Sequence, residues 1–71
     1  MIKVYLTSDC TTPPLTFKYE CDRVKYYKIQ HRLSMYKKAR SGREKLYRYA
    51  IIDEWSHVKY IDETGKEIII K

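Results

Sequence analysis

The chain has 71 residues, 44% of them hydrophobic and 34% charged, and fifteen Lys and Arg against nine Asp and Glu give a formal net charge of +6. That length allows one core and one domain over residues 1–71, and the apolar content excludes wholesale disorder. No apolar run nears the roughly 18 residues of a membrane span, and Met1–Thr7 lacks the basic start and apolar stretch of a signal peptide. A cytoplasmic protein is the expectation.

Residues 2–7 alternate, with Ile2, Val4 and Leu6 on one face and Lys3, Tyr5 and Thr7 on the other, which reads as a half-buried strand. The segment Ser8–Pro14 is rich in Ser, Thr and Pro and marks a loop. Alternation resumes over 15–21 with Leu15, Phe17, Tyr19 and Cys21, a second strand placed to pair with the first.

From Asp22 the period changes. Tyr26, Ile29, Leu33 and Tyr36 stand three, four and three apart and line one face of a helix. Asp22 suits the N-cap, Lys37, Lys38 and Arg40 suit the carbonyl end, and Ser41-Gly42 supplies a stop. A rival strand over 23–30, through Val24, Tyr26 and Lys28, is shorter than the stripe, so the spacing favours a helix over 22–40. Residues 46–52 and 57–62 read as strands, followed by a tight turn at Glu63-Thr64-Gly65 and a last strand over 66–71. The expected fold is α+β, ββ-α-βββ, with one helix packed on an antiparallel sheet and a three-strand meander at the carboxy end. Residues 66–71 would form an exposed edge, a route to a homodimer by sheet extension.

The charge is segregated. Residues 1–22 carry a net −1, residues 23–48 a net +9 with Glu44 the only acid, and residues 49–71 a net −2. The middle block also holds Tyr26, Tyr27, Tyr36 and Tyr47. Cations neutralise phosphates and aromatic rings stack on unpaired bases, so the combination points to a nucleic-acid or nucleoprotein partner. On the expected helix Lys25, Lys28 and Arg32 form one stripe, extended by Lys37, Lys38, Arg40 and Arg43. With Tyr36 and with Trp55, a large ring in a polar turn that fits a binding hot spot or a lid on the core, these residues are the candidate binding set.

No catalytic, metal or cofactor motif is present. Cys10, Cys21, His31 and His57 have no zinc-ligand spacing, and reduced thiols are expected. Gly65-Lys66 lacks the remainder of a phosphate-binding loop. A metal-free RNase of the toxin type is the enzymatic alternative, with His57, Tyr49, Arg48 and Lys59 assembling on adjacent strands.

The small size, high charge and the hairpin Tyr60-Ile61-Asp62-Glu63-Thr64-Gly65-Lys66 resemble the small phage-encoded inhibitors of the anti-CRISPR type. That resemblance implies a non-enzymatic protein of the host cytoplasm that sits on a host nuclease complex. The basic middle departs from inhibitors that mimic DNA by acidity, so the implied target is nucleic acid or an acidic patch of such a complex.

Overall fold

Side chains that alternate in and out govern this chain well beyond the two segments where the alternation is most regular. A computed structural model describes all residues 1–71. In chain order the strands are β1 Ile2–Ser8, β2 Leu15–Cys21, β3 Arg23–Tyr27, β4 Arg32–Lys38, β5 Glu44–Ile51, β6 His57–Ile61 and β7 Glu67–Ile69. The one helical element is a three-residue 3₁₀ turn, Ile52–Glu54.

The expected α+β fold is therefore corrected to an all-β one. Residues assigned to a helix over 22–40 form the antiparallel hairpin β3–β4 and the turn that joins them, with Tyr26 opposite Leu33 and Val24 opposite Met35. The helical stripe arose by accident of spacing. Tyr26 and Leu33 are cross-strand partners, Ile29 is 92% exposed at the hairpin tip, and Tyr36 faces away from the core. Asp22 is a corner and caps no helix. Its amide donates to the Tyr36 carbonyl at 2.8 Å, and its carboxylate accepts from the Lys38 amide at 2.7 Å.

Two antiparallel sheets result, one ordered β2-β1-β6-β7 and the other β3-β4-β5. The expected pairing of β1 with β2 is present, Val4 standing opposite Tyr19 and Leu6 opposite Phe17. The expected carboxy-terminal meander is broken, because β5 pairs with β4 while β6 pairs with β1 and β7. The chain changes sheet twice, at Asp22 and through the 3₁₀ turn. Strand β7 is an edge of its sheet.

One apolar cluster joins the sheets. Ile2, Val4, Leu6, Cys21 and Val58 come from the four-stranded sheet, Leu33, Met35 and Ala50 from the three-stranded one, and Ile52 from the link between them. Trp55 packs against this cluster and meets the Phe17 ring edge-on at 5.7 Å, so it serves as a lid on the core.

Turn chemistry closes the β6–β7 hairpin. Asp62 Oδ1 accepts from the Thr64 amide at 2.9 Å, the Thr64 hydroxyl at 2.6 Å and the Lys66 amide at 3.0 Å. Gly65 takes φ +87°, a conformation open to glycine at no steric cost. Those donors, the Thr64 hydroxyl first, hold the Asp62 carboxyl below the usual carboxylate range. A group with a lowered folded pKa stabilises the fold above its unfolded pKa and loses that contribution as the pH falls through the folded value. Protection of the Thr64 and Lys66 amides, measured against their intrinsic exchange rates, should accordingly fall below about pH 4, and Asp62→Ala should show the same loss of protection at neutral pH.

The fold also separates two residues that a helical stripe would make equivalent. Leu33→Ala is expected to lower stability by about 2–5 kcal/mol, read from the denaturant midpoint. Ile29→Ala should change it by less than about 0.5 kcal/mol. Equal losses at both positions would contradict the hairpin.

Candidate functional site

Strand β4 sends Leu33 and Met35 into the core, so Arg32, Ser34 and Tyr36 point to the other side of the sheet. Residues directly opposite on paired strands share a face. The pairs Arg23–Tyr36, Lys25–Ser34 and Tyr27–Arg32 extend that outer face onto β3, and Ser34–Tyr49 extends it onto β5.

Cations and rings interlock there. The Arg23 guanidinium lies 4.3 Å from the Tyr36 centroid, Lys25 Nζ 5.1 Å from Tyr27, and the Arg32 guanidinium 4.7 Å from Tyr27 and 5.9 Å from Tyr49. The Tyr27 and Tyr36 hydroxyls are 3.3 Å apart. Ser34, at the centre, is 2% exposed although it faces outward, because its small side chain lets the longer neighbours close over it. Arg32 Nε is buried without a hydrogen-bond partner.

A second cluster lies on the other face of the sheet, where Lys37 follows Leu33 and Met35 along β4 and Arg48 stands opposite Met35. The register slips between Met35 and Tyr36, where β5 inserts Tyr47 as an extra residue. Lys37 Nζ sits 3.9 Å from the Tyr47 centroid, and Arg48 lies 4.6 Å over Tyr19 while its Nη1 donates to the Tyr19 hydroxyl at 3.3 Å. Beyond it the β4–β5 hairpin runs free of the core. The Ala39 amide donates to the Arg43 carbonyl at 2.8 Å and the Gly42 amide to the Ala39 carbonyl at 2.9 Å, with Gly42 at φ +82°. Lys38, Arg40, Arg43 and Lys45 are all exposed on this tip.

Of the ten cations between residues 23 and 48, Arg23 alone has a carboxylate within ion-pair distance. Its partner is Glu44, with Nη2 to Oε1 at 2.6 Å and Nε to Oε1 at 2.8 Å. That hydrogen bond, with the guanidinium charge, holds the Glu44 carboxyl below its ordinary range. The remaining nine cations have no carboxylate within that distance, although Lys38 stands across from Glu44 and its charge also favours the Glu44 carboxylate.

The expected set divides accordingly. Lys25, Arg32 and Tyr36 share the outer face, although the helix-based stripe linking Lys25, Lys28 and Arg32 does not exist. Lys37 belongs to the Tyr47 cluster, and Lys38, Arg40 and Arg43 lie at the β4–β5 tip. Lys28 sits in the β3–β4 turn at the opposite end of the sheet. Trp55 lies apart from both clusters, partly buried against the core beside Phe17. Sequence reasoning missed Arg23, Tyr27, Tyr49 and Ser34 as parts of one face; the signal was a two-residue repeat, Arg23-x-Lys25-x-Tyr27 and Arg32-x-Ser34-x-Tyr36. The proposed RNase group is not brought together, since Arg48 and Tyr49 lie on β5 while His57 and Lys59 lie on β6 of the other sheet.

Cys10 is exposed, Cys21 is buried, and no bridge joins them; burial raises the Cys21 thiol pKa. No helix is long and apolar enough to cross a membrane. No family model, curated protein or solved structure matches the chain, so the site is interpreted from its own geometry.

Removing the acid that pairs with Arg23 should strengthen the surface's hold on anions. Glu44→Gln frees Arg23 and adds one positive charge, and the variant should leave a heparin column at higher salt than the parent. Lysine neutralisation in the same region, Lys45→Gln, should shift elution the other way.

Proposed function

We propose that this chain is a non-enzymatic nucleic-acid-binding domain that docks through the β3–β4–β5 face and the β4–β5 hairpin. The observation that supports this reading most is that nine of the ten cations between residues 23 and 48 have no carboxylate within ion-pair distance, with Lys25 and Arg32 sharing the outer face with Tyr27, Tyr36 and Tyr49 and with Lys38, Arg40, Arg43 and Lys45 exposed on the β4–β5 hairpin. Surface cations with no carboxylate partner are free to replace the counterions condensed on phosphates. Their contacts fix register and orientation and carry no base identity. The remaining surface, with its net negative chain ends, gives the molecule a direction in which to approach a polyanion.

The same layout suits nucleic acid already held in a nucleoprotein complex, the setting that the resemblance to anti-CRISPR inhibitors implies. In that setting the protein would compete for the strand that the complex must bind.

Affinity for a labelled oligonucleotide, followed over a salt series, tests the reading. The logarithm of affinity should fall linearly with the logarithm of salt concentration. The triple variant Lys38→Ala, Arg40→Ala, Arg43→Ala should make that slope shallower by about 2, at roughly 0.7–0.9 for each lost phosphate contact. No binding of any nucleic acid at about 50 mM salt, with retention only on acidic proteins, would overturn the proposal.

A further inference from the structure

We propose that the outer face of β3–β4–β5 selects single-stranded nucleic acid, with Arg32 as a fixed phosphate contact and Tyr49 as a base-stacking ring. This inference rests on the nucleic-acid reading above and narrows it to one form of ligand.

Arg32 carries the first part of the argument. Its guanidinium is held near two rings, Tyr27 at 4.7 Å and Tyr49 at 5.9 Å, and no carboxylate lies within ion-pair distance. Its Nε is already stripped of water and has no acceptor. A charge that has lost part of its hydration without gaining an anion is left short of partners. An incoming phosphate would supply the missing counter-charge through the terminal nitrogens, Nη1 and Nη2, which can donate in parallel to two oxygens while Nε stays covered. The stacked rings fix the direction of that fork before any ligand arrives.

The second part is the rings. Tyr49 is 55% exposed, and it lies beside Arg32 across from buried Ser34. Same-face positions along a strand repeat at about 6–7 Å, so Arg23, Lys25 and Tyr27 set cations and a ring at intervals along β3. A duplex keeps its bases stacked on one another and shows only their edges in the grooves. It offers a sheet face phosphates alone, and Tyr49 would gain nothing from it. An unpaired base has a free π-face, which is what an exposed ring beside a cation rewards.

Fluorescence anisotropy with labelled oligonucleotides of about 12 residues tests this, using oligo-dT, oligo-rU and a duplex of equal length at about 50 mM salt. At least one of the single strands should bind about tenfold tighter than the duplex. Tyr49→Leu should weaken single-strand binding about tenfold and leave duplex binding within about twofold, while Tyr49→Phe retains the affinity because the ring remains. Arg32→Lys, which keeps the charge and loses the fork, should also weaken single-strand binding several-fold. Circular dichroism of each variant checks that the β-rich fold is kept; if Arg32→Lys unfolds, the two Tyr49 variants decide. Duplex bound as tightly as single strands, with Tyr49→Leu affecting neither, would overturn this inference and leave nucleic-acid binding standing. Absence of binding to all three probes would instead overturn the broader reading.

Discussion

Strand β4 is the hinge of the whole arrangement. Leu33 and Met35 are fully buried, and they join Val4, Leu6 and Val58 in the single cluster that holds the two sheets together. A strand cannot bury both of its faces in a chain this short, since the one cluster uses only nine buried side chains. The two-residue period then forces Arg32, Ser34 and Tyr36 outward together. Whatever faces away from the core on β3 and β5 is brought into line with them by the pairing register.

The outer face gathers Arg23, Lys25 and Arg32, and only Arg23 meets a carboxylate there. Tyrosine rings hold the cations in place instead. A cation over an aromatic face gains about 0.5–1 kcal/mol at an exposed site, enough to orient Arg23, Arg32 and Lys37 without discharging them. An ion pair would fix a guanidinium equally well and would cancel the charge a polyanion needs to meet. Arg23, beside both Tyr36 and Glu44, shows the two solutions on one residue.

The parts of the fold legible in the sequence were those with clean local signals. Alternation marked β1 and β2, and Gly65 with Asp62 marked the β6–β7 turn. The β3–β4 hairpin escaped because its turn, Lys28-Ile29-Gln30-His31, contains no Gly, Pro, Asn or Asp. His31 takes the left-handed region at φ +49°, held by the Ile52 amide donating to its carbonyl at 2.8 Å and by Asp53 3.3 Å from its ring. Those are long-range contacts that no local pattern announces. The concentration of charge in residues 23–48 was legible as composition, and which of those cations share a face was not, because that depends on whether the period is two or 3.6. The switch of sheets after β5 was hidden for a similar reason, since proximity in sequence favours a meander.

The proposed docking surface is the outer face of β3–β4–β5 together with the β4–β5 hairpin. Backbone amide chemical shifts, followed by NMR while an unstructured single-stranded oligonucleotide is titrated into the isotopically labelled protein at low salt, test it most directly. Shifts are expected only in residues 23–27, 32–38 and 40–49, with β1, β6 and β7 unmoved. Shifts spread evenly over both sheets, or centred on β6 and β7, would contradict it.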